Sequence, residues 1–206
     1  LLKKLASSAP GTFNHSLAVS NLAEACAIAI GENAQLARAA AYYHDIGKIK
    51  NPLFFKENQD EINPHDDLTP ELSANFIKKH TIEGYNLCRE FNLPDEIANI
   101  CLEHHGTTVI KYFRYSGPKP RSKIAAIIMI ADAAEAAIRV LTDRKKSTIE
   151  AQVKEIIDER MDLEQFSECD ITMHDIYTII EQIVKISAGI YHDRTDYPKI
   201  RFSGRD

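Results

Sequence analysis

The chain has 206 residues, 44% hydrophobic and 27% charged, so a domain with its own core is expected and disordered, collagen-like and low-complexity classes are excluded. Lys and Arg number 25 against 30 Asp and Glu, a net charge of −5, which argues against a DNA or RNA partner, although a local basic site could hold a phosphate. No apolar run reaches the roughly 18–20 residues that cross a bilayer; the longest candidate, 124–138, is interrupted by Asp132 and Glu135.

In chain order the sequence reads as a string of helices. Residues 14–30 repeat apolar side chains at helical spacing (Ala18, Val19, Leu22, Cys26, Ala29), and Gly31 stands where a left-handed C-terminal cap belongs. Asn33 is placed to cap a second helix that runs to about Asp45 and stops at Gly47. Residues 51–70 carry three prolines and read as an irregular loop of a length that suggests function.

Thr69-Pro70 is a helix start. That helix is expected to reach about Phe91, with a break near His80. Pro94-Asp95-Glu96 opens the next, which ends at His105-Gly106. Residues 107–121 read as a Pro/Gly loop and 122–141 as a long Ala-rich helix. Ser147 with Glu150, and Thr172 with Asp175, are expected to form capping boxes for the last two helices, and the tail from Gly189 reads as loop. There is no strand alternation of useful length and no internal repeat, so the fold class is all-α.

Cys26, Cys88, Cys101 and Cys169 form no C-x-x-C pair and sit among apolar residues, as small buried hydrophobes of a reducing compartment do. No signal-peptide pattern opens the chain, and a start at Leu1 rather than Met is expected of a piece of something longer.

The chemistry is carried by histidines and aspartates. His15 lies on the stripe of Ala18, Val19, Leu22 and Cys26, where a lone His is ordinarily a satisfied core residue. His44-Asp45 closes the second helix, His80 lies along the next, and His104-His105 ends another just before Gly106. Asp132 sits in an otherwise apolar helix with Ile128, Met129, Glu135 and Ala136 at its helical neighbours and no cation among them. Burying an unpaired carboxylate is costly, and a metal ion would satisfy it.

Five imidazoles and two carboxylates exceed the three or four ligands of one tetrahedral zinc site. They suit two ions that share a bridging carboxylate, with positions left for water and substrate. Adjacent helical residues point about 100° apart, so His44 and Asp45, like His104 and His105, can serve neighbouring ions. Imidazole and carboxylate without thiolate favour Mn, Fe, Co, Ni or Zn over Ca or Mg.

In this order His15, His44-Asp45 and Asp132 resemble the signature of the HD superfamily of metal-dependent phosphohydrolases, and His80 with His104-His105 resembles its two-metal branch. Longer strings resemble the cytosolic HD domain of the PgpH-type seven-transmembrane hydrolases, which degrade cyclic di-AMP. They include Pro10-Gly11-Thr12-Phe13-Asn14-His15-Ser16, Tyr42-Tyr43-His44-Asp45-Ile46-Gly47-Lys48, Glu57-Asn58-Gln59 and Asn63-Pro64-His65-Asp66. Further along come His104-His105-Gly106-Thr107-Thr108, Gly117-Pro118-Lys119-Pro120, Glu168-Cys169-Asp170 and Tyr191-His192-Asp193-Arg194 with Tyr197-Pro198. The chain departs from the pattern where Phe113 runs directly into Arg114-Tyr115, a place where relatives carry a longer acidic insertion.

The resemblance implies an HD-domain helical bundle that hydrolyses cyclic di-AMP to linear pApA with two divalent transition-metal ions, Mn or Fe foremost. It implies that His15, His44, Asp45 and Asp132 hold one ion, and Asp45, His80, His104 and His105 the other, with Asp45 bridging and catalytic. Lys48 is placed to meet a substrate phosphate oxygen; the plainer role is a helix C-terminal lysine offsetting the dipole. His65, Thr107 and Thr108 are candidate substrate contacts, against turn and loop roles. Glu83 and Glu103 are candidates to orient a ligating imidazole. His174 and His192 read as structural or surface residues, and Arg194 with Tyr197-Pro198 as tying the tail to the bundle.

Two alternatives stand beside this reading. One is another HD nucleotide phosphohydrolase, including a cyclic di-GMP enzyme, although a Gly-Tyr-Pro string is lacking after His104-His105. The other is a non-catalytic domain that senses a nucleotide. The resemblance also implies a membrane-anchored parent protein that presents this domain at the cytoplasmic face of the cell membrane.

Overall fold

Helical periodicity and well-placed caps build the chain as expected into an all-α domain. The computed structural model describes residues 1–59, 62–110 and 113–190. Its helices are α1 (Leu2–Ser8), α2 (Pro10–Ile30), α3 (Ala34–Tyr43), α4 (Pro70–Glu90), α5 (Asp95–Glu103), α6 (Lys123–Arg139), α7 (Lys146–Asp162) and α8 (Met173–Ile190). Between α3 and α4 lie three short 3-10 turns, Ile46–Lys50, Pro52–Phe54 and Lys56–Asn58.

Caps act where the sequence places them. Gly31 takes φ 78° as a left-handed cap, and the side chains of Asn33, Thr69 and Ser122 accept from Leu36 N, Leu72 N and Ala125 N. Thr172 and Asp175 form the reciprocal box that starts α8. The Ser147–Glu150 box does not form: α7 begins at Lys146, two residues earlier than a Ser147 cap implies, with no side-chain cap at Lys145. There Asp143 instead accepts from Lys145 N and Thr148 Oγ1 and braces the turn.

Three further expectations are corrected. Helix α4 runs unbroken through His80, whose Nδ1 bonds back to the Ile77 carbonyl within the helix. Helix α2 starts at Pro10, a residue suited to the first helical position, and a separate short α1 precedes it. Helix α8 continues through Gly189 to Ile190 because its buried Ile176, Ile179, Ile183 and Val184 keep one face on the core. The Pro/Gly loop holds one short antiparallel pair, β1 (Val109–Ile110) with β2 (Phe113–Arg114), two residue pairs long and so too short to show alternation.

Helix α6 is the axis of the core. Every residue from Ile124 to Ala131 is buried, as expected of a helix covered on all sides. It packs on α2, α3, α5, α7 and α8. Helices α4 and α5 pack on each other, and α4 rests on the 3-10 turn at 46–50. Gly47 permits that contact, since a Cβ there would stand 2.0 Å from the His80 carbonyl oxygen. Among the described residues, no helix is long and apolar enough to cross a membrane. All four cysteines are free thiols, and burial pushes Cys26 up to about 12.

Candidate metal centre

Seven polar side chains from five places in the fold meet between these helices. His15 comes from α2, His44 and Asp45 from the end of α3, His80 from α4, His104 and His105 from the end of α5, and Asp132 from α6. They form two overlapping sets, His15, His44, Asp45, Asp132 and Asp45, His80, His104, His105; within each, one ligand atom per residue lies within 4.8 Å of the others. His44, Asp45, His80 and His104 are at most 1% exposed.

Asp45 belongs to both sets. Its Oδ2 lies 3.3 Å from His44 Nε2 and 3.8 Å from His15 Nε2. Its Oδ1 lies 3.3 Å from His80 Nε2 and 3.7 Å from His104 Nε2. Asp132 Oδ1 lies 2.9 Å from His15 Nε2 and 3.7 Å from His44 Nε2, and its Oδ2 lies 3.8 Å from His105 Nδ1.

Backbone carbonyls fix three of the rings. His44 Nδ1 donates to Ala41 O at 2.7 Å, His80 Nδ1 to Ile77 O at 2.5 Å and His104 Nδ1 to Cys101 O at 3.0 Å. A neutral ring with its proton on Nδ1 presents a lone pair at Nε2. His80 and His104 therefore turn two lone pairs toward each other across 3.2 Å, an arrangement that a cation between them would favour. The buried atoms His44 Nε2 and Asp45 Oδ1 have no hydrogen-bond partner, although buried polar groups are nearly always bonded. The donor set thus fits metal ions.

The electrostatics agree. Burial, aided by the neighbouring His104 and Lys48 and opposed by Asp45, pushes His80 down to about 3, so its ring is neutral and able to ligate. Burial likewise holds His105 well below the usual histidine range. For His44 burial is outweighed by the Asp45 carboxylate first and the Asp132 carboxylate next, 3.3 and 3.7 Å from its Nε2, which raise it to about 10. Asp45 and Asp132 stay well below the carboxylate range despite burial, Asp45 through Lys48 and His44, Asp132 through His15 and His44. The pocket demands positive charge.

Sequence comparison and structure comparison both fit this geometry. The HD domain family model matches residues 12–137. The chain belongs to the HD-domain family. This HD domain is 44% identical over 216 residues to the cyclic-di-AMP phosphodiesterase PgpH of Bacillus subtilis and 46% identical over 215 residues to that of Listeria monocytogenes. Those alignments cover 97% and 96% of this chain; the chain spans about 30% of the length of either relative. The crystal structure of the L. monocytogenes PgpH HD domain superposes with a TM-score of 0.90 at 46% identity, over 93% of this chain and 98% of that one. The same domain in complex with cyclic-di-AMP superposes with a TM-score of 0.91 at 45% identity, over 95% and 99%.

Of the remaining candidates, Lys48 touches the cluster and the others lie around it in the HD domain. The Lys48 Nζ pairs with Asp45 Oδ2 at 2.7 Å and Glu57 Oε1 at 2.8 Å. His65 Nε2 bonds the Phe54 carbonyl at 2.8 Å, which ties the long loop together, and none of its contacts is with the seven clustered residues. Thr107 is clamped by the buried Gln165, which accepts from its amide at 2.8 Å and donates to its hydroxyl at 2.9 Å. Thr108 is buried and donates to the His105 carbonyl. Both threonines thus shape the turn that carries His105.

Neither Glu83 nor Glu103 orients an imidazole among the described residues. Glu103 instead accepts from Arg121 N at 3.1 Å. The carboxylate behind a clustered ring is Glu135, whose Oε2 meets His15 Nδ1. Tyr115 also lies at the site, stacked on His105 with centroids 4.3 Å apart. His174 is exposed on the first turn of α8, whereas His192, Arg194, Tyr197 and Pro198 lie outside the described residues.

Proposed function

We propose that this domain is a two-metal phosphodiesterase that opens cyclic di-AMP to linear pApA. The observation that carries the reading is the pair of four-residue ligand sets joined through Asp45, whose two oxygens face different imidazoles. Support for the substrate comes from the relatives named cyclic-di-AMP phosphodiesterases and from the similar domain solved with cyclic-di-AMP. His15, His44, Asp45 and Asp132 would hold one ion, and Asp45, His80, His104 and His105 the other; an imidazole-rich set without thiolate favours Mn or Fe over Mg.

Cations held by these residues would supply Lewis acidity, lowering the pKa of water and balancing charge on the phosphoryl oxygens. The protein contributes fixed ligands, since carbonyl-anchored rings need no reorganisation as charge develops. Lys48, beside Asp45, would meet a non-bridging phosphate oxygen as a point charge. Tyr115 covers one face of His105 and keeps water from it. The parent protein would hold this domain at the cytoplasmic face of the cell membrane through segments outside this chain.

The test is a hydrolysis panel of cyclic di-AMP, cyclic di-GMP, pApA and dATP, each with Mn, Fe, Co, Zn and Mg after metal removal by EDTA. Cyclic di-AMP turned over to pApA with Mn or Fe is the expected result. Equal or faster turnover of cyclic di-GMP would sink the substrate assignment, and full activity with Mg alone would sink the metal assignment.

A further inference from the structure

Glu57 and Lys48 form an ion pair that ligand geometry alone does not require. Lys48 Nζ lies between Asp45 Oδ2 at 2.7 Å and Glu57 Oε1 at 2.8 Å, and both the Lys48 and Glu57 side chains are only 12% exposed. The same Glu57 oxygen accepts from the Thr12 hydroxyl at 3.0 Å. Thr12 is fully buried and sits three residues before His15 on α2. Asn58 completes the anchor: its Nδ2 donates to Thr12 Oγ1 at 2.8 Å, and its Oδ1 accepts from Thr12 N at 3.2 Å. Glu57 is therefore fixed to the helix that carries His15. The Phe55 ring, 4.9 Å from Nζ, adds a second attraction on the Glu57 side.

Asp45 Oδ2, the oxygen that Lys48 touches, is also the one facing His44 Nε2 and His15 Nε2. A cation in the His15, His44, Asp45, Asp132 set would use that oxygen, and an ammonium beside it would repel the cation strongly in so buried a place. We infer that Glu57 is a positioning residue that draws Lys48 aside when a cation takes Asp45 Oδ2, so that lysine and metal do not compete for one oxygen. The inference rests on the two-cation reading above. Glu57 thereby keeps the Lys48 charge at the rim, where a phosphate arrives, without weakening the metal site.

The competition has a signature that a merely structural role lacks. Glu57→Gln keeps an oxygen for Thr12 but removes the charge that draws Lys48 away, so Lys48 stays on Asp45 and metal binding weakens. Lys48→Met removes the competitor, so metal binds at least as tightly as in wild type. In the double variant the competitor is also gone, and affinity returns to the wild-type level while turnover stays low.

The experiment titrates Mn²⁺ into the metal-stripped domain, with the free ion followed by EPR and folding checked by circular dichroism. Glu57→Gln is expected to bind one of two ions on the order of 10-fold more weakly, as when an outer partner of a ligand is lost. Two ions bound by Glu57→Gln with wild-type affinity, or a double variant as weak as Glu57→Gln, overturns the inference. Should Glu57→Gln fail to fold, a loss of Mn²⁺ affinity in Lys48→Met overturns it equally. Wild-type protein that binds no Mn²⁺ overturns the two-cation reading itself, and this inference with it.

Discussion

Glu135 Oε2 lies 2.5 Å from His15 Nδ1, while the other ring nitrogen, Nε2, lies 2.9 Å from Asp132 Oδ1. Asp132 and Glu135 are one helical turn apart on α6, so a single helix face grips both sides of one imidazole. Glu135 thus fixes the ring and would strengthen it as a ligand of a bound ion. Glu135→Gln should leave the fold intact and lower metal affinity about 10–100-fold. Chelator competition on the purified variant checks this, and wild-type affinity would return Glu135 to an incidental contact.

Asp45 and His15 differ in how many ions each would serve. Asp45→Asn removes the negative charge common to both sets and should leave near-zero metal per chain. His15→Ala should keep about one ion, given that a two-metal site starts with two, because Asp45, His80, His104 and His105 are untouched. Both variants should be almost inactive. Elemental analysis of folded protein decides the matter; two ions retained in either variant would require the ligand sets to be redrawn.

Gly47 has no room for a side chain. A Cβ there would stand 2.0 Å from His80 O and 2.5 Å from Gly84 N, both backbone atoms that cannot swing away. Gly47→Ala must push the 46–50 turn off α4 and should cost about 1–3 kcal/mol, as overpacking does. Thermal melts of the metal-stripped protein measure the loss without a contribution from bound ions. An unchanged melting temperature would count against this packing.

The start of α8 carries a pH-dependent contribution. Asp175 Oδ2 accepts from Thr172 N at 2.9 Å and Thr172 Oγ1 at 2.8 Å, and Lys123 Nζ lies 3.1 Å away. The Thr172 amide first, then its hydroxyl and Lys123, hold the Asp175 carboxyl below its usual value. A depressed folded-state value means the stabilisation is complete above the unfolded value, about 3.9, and is lost as pH falls through the folded one. Thr172→Ala should cost about 0.5–2 kcal/mol at neutral pH. In urea melts, the gap between wild type and Asp175→Asn should close on going from pH 7 to below about 3.9. A gap that stays constant with pH would mean that the carboxylate charge contributes nothing.

Much of the site was legible in the sequence because its residues are costly where they stand. Asp132 in the apolar α6 and His15 on the apolar stripe of α2 contradict their surroundings unless they share a partner, and the fold brings them to 2.9 Å. The helices were legible through caps such as Asn33 and Thr69, which act over three residues. Glu135 was not legible as a partner of His15, since a glutamate on a long helix is ordinary and the ring it holds is 120 residues away. Glu57 was visible only as part of a short string; its link to Thr12 and Lys48 depends on how the loop folds back on α2. The continuity of α4 through His80 was not legible either, because the close approach of the 46–50 turn to that stretch at Gly47 is a tertiary contact.

The clustered side chains are drawn from positions 15 to 132, and the first and last of them touch across 117 residues of sequence. No hairpin brings them together; the first set needs α2, the end of α3 and α6 docked, the second needs the end of α3, α4 and α5, and the two together need all five. Cation retention is therefore a gauge of the whole bundle rather than of a local pocket. An ion that prefers the His15, His44, Asp45, Asp132 set to the open chain would tie the ends of that span together, adding about 2.7 kcal/mol of resistance to unfolding at a free concentration 100 times its dissociation constant. Starvation for the metal would in that way shorten the lifetime of the domain as well as silence its chemistry.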